Sequence, residues 1–177
     1  MHRTAIAACV ALAAAALVTG CGHVDEAPPA PPAPPVVWHG FDEGLALAAK
    51  EKKPVVIDFY TSWCVWCKRM DQRTFSDPGI RSYLAEHFVA VRLDAEARGA
   101  RHTFEGRAYS AVELTRRFGV RGFPSLGYLG RDGTIVTVVP GFQTPGQLKP
   151  MLEYVEKECY RNQMSFEEFL ERRGDCD

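Results

Sequence analysis

From residue 41 onward the apolar positions follow two rhythms. Phe41, Leu45, Ala48 and Ala49 recur at helical spacing and predict an amphipathic helix over residues 41–52. Pro54-Val55-Val56-Ile57-Asp58-Phe59-Tyr60 is a short continuous run, β-branched and aromatic with a proline at its mouth, and reads as a buried strand. Good helix formers occupy residues 68–73. Asp77 can cap a further helix, with Pro78 in its first position and Ile80, Leu84 and Phe88 facing inward. Phe88-Val89-Ala90-Val91-Arg92-Leu93-Asp94 is the next strand.

Residues 95–110 are polar, contain Gly99 and Gly106 and show no clear period. They read as an excursion with room for a short hairpin about Glu105-Gly106, and a loop of that length inside a compact domain tends to be functional or mobile. Residues 111–118 predict a helix ended by Gly119 at a left-handed cap position. Two apolar runs, residues 125–130 and 134–139, flank Arg131-Asp132-Gly133 and predict a hairpin with an Asp-Gly turn. Thr144-Pro145-Gly146-Gln147 has capping-box spacing and opens a helix through Leu148, Met151, Leu152 and Val155. Ser165-Phe166-Glu167-Glu168 repeats the box ahead of a short stripe of Phe166, Phe169 and Leu170. Two strands joined through a helix imply a right-handed parallel crossover, and the hairpin adds antiparallel strands. The expected architecture is α/β: a mixed sheet with helices on both faces.

The chemistry sits at one handover. Thr61-Ser62-Trp63-Cys64-Val65-Trp66-Cys67-Lys68 follows directly on the first strand and leads into a helix. Cys64 should therefore stand at the helix N-terminus, where unpaired N–H groups and the positive end of the macrodipole favour an anion. A thiolate is such an anion and is the form that attacks disulfides. Cys67 lies one turn on, close enough to bond Cys64, so the pair points to reversible two-electron thiol chemistry. The reading requires the Cys64 sulfur to be reachable at that helix start. A zinc site would need about four ligands, usually a second pair at short spacing. Cys159 and Cys176 are far along the chain. Those two, if left over in an oxidising compartment, would bond each other and clamp the tail to the last helix of the domain.

Composition adds limits. The 177 residues fit one ordinary domain with additions at both ends, and 46% hydrophobic content supports a proper core. A net charge of −1 gives no case for nucleic acid or an acidic membrane surface. Beyond the N-terminus no apolar run approaches the about 20 residues a bilayer span needs. Met1-His2-Arg3, an Ala/Leu/Val-rich stretch and Leu17-Val18-Thr19-Gly20-Cys21 resemble a bacterial lipoprotein signal over residues 1–20, with Cys21 the lipidated residue. An ordinary export signal is the alternative. Gly22 carries no acidic inner-membrane retention signal, which points to outer-membrane sorting. Residues 21–36 form a Pro-rich linker whose nine residues from Ala27 to Pro35 span roughly 28 Å as polyproline. The folded domain takes residues 37–160 and the helical tail residues 161–177.

Trp63-Cys64-Val65-Trp66-Cys67-Lys68, the buried strand carrying Asp58, and Val120-Arg121-Gly122-Phe123-Pro124-Ser125 together resemble the thioredoxin family over about residues 41–157. Within it the chain is similar to exported bacterial thioredoxins, the sulfur-oxidation-associated kind and the C-terminal domain of the thiol:disulfide interchange protein. The resemblance implies a thioredoxin fold and makes Cys64 the attacking and Cys67 the resolving thiol. Pro124 becomes the cis-proline beside which substrate backbone pairs, and Asp58 the buried acid beneath the disulfide. Arg92 falls near where the family often has a lysine partner for that acid. Burial would raise the Asp58 pKa, suiting it to take the Cys67 proton. Trp63, Trp66 and Phe123 are candidates to line the substrate groove.

No cofactor and no metal is implied. The implied partners are disulfide-containing exported proteins, a membrane thiol-electron conduit and a lipid anchor. Val-Trp between the cysteines differs from the family's Gly-Pro and Pro-His dipeptides, so no redox potential transfers. The reading is a periplasm-facing reductase. A disulfide oxidase or isomerase, or a non-catalytic adaptor with this fold, are the alternatives.

Overall fold

A computed structural model of the chain describes residues 33–176, so the signal-like segment, Cys21 and most of the Pro-rich linker lie outside the described residues. Three of the helices are fixed by their first residues. Asp77 accepts the Ile80 N–H at 3.0 Å and sets α3 (Pro78–His87). Ser110 and Glu113 form a reciprocal box at the start of α4 (Ala111–Arg117). Thr144 and Gln147 form another at α5 (Pro145–Glu156). Gly119 closes α4 at φ +72°, the left-handed position expected of it. At the tail the predicted box forms by half. Ser165 accepts from Glu168 N–H at 3.1 Å, but the Glu168 carboxylate takes Arg172 at 2.7 Å.

The central sheet has the order β2-β1-β5-β6. Strand β1 (Val55–Tyr60) pairs parallel with β2 (Val89–Asp94) and antiparallel with β5 (Ser125–Leu129). β5 returns antiparallel into β6 (Ile135–Pro140) through the Asp132-Gly133 turn. Two helices, α2 (Val65–Arg73) and α3, carry the β1-to-β2 crossover. The excursion contains the hairpin anticipated at Glu105-Gly106, with β3 (Arg101–Phe104) against β4 (Arg107–Ser110) in a sheet of their own. Asp42 of α1 (Phe41–Glu51) pins it, accepting Thr103 N–H at 2.7 Å with its other oxygen 2.9 Å from His102 Nδ1.

Because successive strand residues face opposite sides, β1 feeds two cores. Val55, Ile57 and Phe59 pack with Phe41, Leu114 and Phe118 under α1 and α4. Val56 packs with Met70, Ile80, Leu84, Leu148 and Leu152 under α2, α3 and α5. Gly44 lets α1 approach the sheet: a Cβ there would lie 2.3 Å from Val91 Cγ2. The tail covers the second core. Cys159, in a 3-10 turn (Cys159–Asn162), is disulfide-bonded to Cys176, beyond the short helix α6 (Phe166–Glu171). Phe169 of α6 is buried against Tyr154 at a ring distance of 5.5 Å. Among the described residues no helix is long and apolar enough to cross a membrane.

Candidate active site

The site grows from the end of β1, a strand held on both edges that leaves the adjoining turn little freedom. Thr61 to Trp63 make that turn, with the Cys64 N–H returning to the Thr61 carbonyl at 3.2 Å. Cys64 is the N-cap of α2, and its Sγ accepts the Cys67 N–H at 3.0 Å. That N–H is one of the donors a helix start leaves unpaired. The side chain that elsewhere would be a serine or aspartate is here a sulfur. Cys64 and Cys67 form a disulfide, with Cα atoms 5.3 Å apart.

In the disulfide form the two cysteines are more buried than the sequence reading expects. Cys64 is 4% exposed, while its neighbours Trp63, Val65 and Trp66 are 61%, 74% and 52% exposed. The bond draws the Cys64 sulfur toward Cys67, which is itself buried on the core side of α2. The disulfide therefore lies in a recess ringed by exposed apolar side chains.

Asp58 is the buried acid of β1. Its place in β1 puts it on the face of Val56, the face covered by α2 through Met70. Asp58 is 2% exposed. In register across the sheet stands Arg92, whose Nε and Nη2 both donate to Asp58 Oδ2, at 3.0 and 2.8 Å. The same guanidinium binds Asp71 on α2 and lies 4.3 Å from the Trp38 ring centroid, so it ties two strands to the redox helix. Asp58 Oδ1 is buried with no hydrogen-bond partner among the described residues. Burial raises the Asp58 pKa from 3.8 to about 6; Arg92 opposes the rise and the charge of Asp71 adds to it.

The fourth piece comes from the loop into β5. Phe123-Pro124 is a cis peptide bond, so Pro124 occupies the conformation implied for it. Phe123 meets the Trp63 ring edge-on at 6.3 Å. Trp63 is itself oriented by an indole hydrogen bond to Glu96 Oε2 of 2.8 Å. On the other side Trp66, Phe123 and Pro124 line a concavity of about 400 Å³, completed by Gly141 and Phe142. The Trp66 and Phe142 rings are 5.9 Å apart. Phe123 thus stands between Trp63 and Trp66, the chain neighbours of the two cysteines.

Phe142 and Asp71 escaped the sequence reading. The signal for Phe142 was a lone aromatic after a glycine at a strand end. It reaches the site because the β5–β6 return brings Gly141 N–H to the Pro124 carbonyl at 2.8 Å. Asp71 lies one helical turn beyond Cys67 on the same face of α2 and is half-buried. Cys159 and Cys176 are apart from this constellation, bonded to each other in the tail.

Comparison with known proteins agrees with the geometry. A family model described as a thioredoxin-like domain matches residues 41–156. The thiol:disulfide interchange protein DsbD of Vibrio vulnificus is 33% identical over 115 residues, which is 64% of this chain and 17% of that protein. Its counterpart in Ralstonia nicotianae is 36% identical over 103 residues, 58% of this chain and 15% of that protein. The chain thus spans less than a fifth of the length of these relatives. Among solved structures, a thioredoxin from Thermus thermophilus has a TM-score of 0.56 at 26% identity, covering 69% of this chain and 88% of its own. A DsbH oxidoreductase has a TM-score of 0.59 at 22% identity, covering 76% and 92%, a likeness of fold. With a disulfide capping the helix that leaves a central strand, and a match across that whole unit, the chain belongs to the thioredoxin-like family of thiol:disulfide oxidoreductases.

Proposed function

We propose that the protein is a lipid-anchored disulfide reductase working at the periplasmic face of a bacterial membrane, held there through Cys21 and a polyproline stalk. In its reduced form the Cys64 thiolate attacks one sulfur of a client disulfide, releasing the other as a thiolate and leaving a mixed disulfide. Cys67 then gives up its proton and attacks Cys64 Sγ, the client leaves as a dithiol, and the enzyme is left as the cystine. Two electrons from a membrane dithiol donor return it to the start.

The observation that carries this reading is the Cys67 N–H on Cys64 Sγ. The donor that now meets a bonded sulfur would meet the thiolate after reduction, and a helix start favours that charge. Asp58 supports the second step. A carboxylate with one buried, unpartnered oxygen and a pKa near 6 is suited to receive the Cys67 proton. Trp63, Trp66 and Phe123 would hold the client, with the Phe123-Pro124 segment offered to its backbone. The resemblance to DsbD domains supports a reducing direction and exported clients.

The test is a redox titration together with trapping of mixed disulfides by Cys67→Ala in cells. A potential at or below that of glutathione, with exported proteins bound through Cys64, is the expected result. A potential well above it would make the protein an oxidase or isomerase. Clients that stay bound when Cys64 is replaced would make it an adaptor.

A further inference from the structure

The charge of this molecule is unevenly placed. Residues 95–123 hold six arginines and three glutamates, with no lysine or aspartate, a local excess of three positive charges in a chain of net −1. Most of that stretch is the excursion with its hairpin and helix α4, and its end is the loop into Pro124. Two of these arginines are engaged. Arg117 binds Glu105 at 2.7 Å, and Arg101 donates to the Ala108 carbonyl at 2.8 Å. Arg116 on α4 and Arg121 before the cis peptide are exposed and form no ion pair among the described residues.

Those two edge a concavity of about 280 Å³ whose apolar lining includes Val112, Val120 and Phe123. Phe123 is shared with the aromatic concavity on the Trp66 side, so it divides two surfaces, and Trp63, the residue before Cys64, meets both Phe123 and Glu96 of the cationic one. One is aromatic. The other is apolar in its floor and cationic at its rim. Its single carboxylate, Glu96, accepts the Trp63 indole N–H and so steadies the wall next to Cys64.

We propose that this second groove selects clients by charge: disulfide-bearing polypeptide segments in which aspartate or glutamate, next to an apolar residue, flanks the reactive cysteine. The proposal rests on the oxidoreductase reading and names its substrate class. A segment whose sulfur enters the recess at Cys64 and crosses Trp63 and Phe123 brings its neighbouring side chains to Arg116 and Arg121. Guanidinium groups bind carboxylates through two parallel hydrogen bonds, giving direction as well as attraction. The apolar floor rewards a hydrophobic neighbour. At an exposed rim each such pair is modest and screened by salt, so together they give about three- to tenfold in selectivity at low ionic strength.

The test uses three cystine peptides of one length, flanked by glutamate, glutamine or lysine. Each is mixed with the pre-reduced full chain and followed through a single turnover. Their binding to the oxidised chain is measured separately by fluorescence titration. The glutamate peptide should react at least threefold faster than the lysine peptide in low salt, with the gap closing in 0.5 M salt, about a 4–5 Å screening length. Arg116→Glu with Arg121→Glu should reverse the order, and Arg116→Lys with Arg121→Lys should restore it. An order unchanged by the reversal, or a wild-type preference for the lysine peptide, overturns the proposal. If no peptide is reduced, the reductase reading fails. In that case acid-selective binding that the reversal abolishes still upholds the groove, and its absence removes the groove too.

Discussion

The two disulfides have the same Cα separation, 5.3 Å, and opposite surroundings. Cys64–Cys67 spans a single helical turn, receives a backbone N–H on its sulfur and is ringed by exposed tryptophans. Cys159–Cys176 closes a loop of separation 17, starts from a fully buried residue and holds α6, through its Phe169, against Tyr154 and Met164. The chain-entropy account gives the longer loop about 3 kcal/mol of stabilisation and the short one nearer 2. What separates a bridge that exchanges from one that holds is thus the neighbourhood more than the bond. One sits where an anion is welcome and a client can approach. The other sits where opening exposes core.

Breaking each bridge should divide function from stability. Cys64→Ser should lower insulin reduction by roughly 10³-fold or more, since the nucleophile itself is gone. Opening that short loop should cost it no more than about 2 kcal/mol in urea unfolding. Replacing Cys159 and Cys176 together by serine should do the reverse, leaving insulin reduction within about twofold while costing about 3 kcal/mol in urea unfolding. A clamp-free protein that loses activity in step with the Cys64 variant would erase the distinction.

Much of this division can be read along the chain. The strand before Cys64, the caps at Asp77 and Thr144 and the Asp-Gly turn are local signals, each carried by a few adjacent residues, and each forms as read. What the sequence hides is what folding brings together. Phe142 joins Trp66 only through the β5–β6 return. Asp71 meets Asp58 only because Arg92 stands in register between strand and helix. The recess around Cys64 arises from bonding to an inward-facing partner, which spacing does not express. The half-formed box at Ser165 failed for a similar reason: Arg172, one turn on, competes for Glu168.

Burial of Asp58 costs the exchanging end of the molecule stability at neutral pH. Its carboxyl titrates near 6 in the fold against 3.8 when free. The folded state therefore keeps its proton longer, and this contribution to stability is present below about pH 4 and lost as pH rises through 6. That difference between folded and free carboxyl is worth about 3 kcal/mol. Asp58→Asn also removes a partner of Arg92, which keeps Asp71, so the variant should be stabler by about 1–2 kcal/mol at pH 8. The gain should fade toward pH 4 in urea melts. Single-turnover resolution should slow about tenfold and lose its inflection near pH 6. A variant less stable than wild type at pH 8 would mean that the Arg92 pairing outweighs burial.

The smallest effect belongs to the holding end. Ser165 supplies one N-terminal hydrogen bond to α6, and losing such a cap costs about 1 kcal/mol. With the Cys159–Cys176 bridge intact, Ser165→Ala should raise hydrogen exchange over α6 about fivefold, the equivalent of that cost, and leave disulfide reduction alone. In the clamp-free background the same substitution acts on a helix no longer tethered beyond its C-terminus. Opening of α6 is then coupled to exposure of Phe169, and the two changes should interact instead of adding. Simple additivity would show that the bridge acts on the unfolded chain alone and leaves the docked tail to its own contacts.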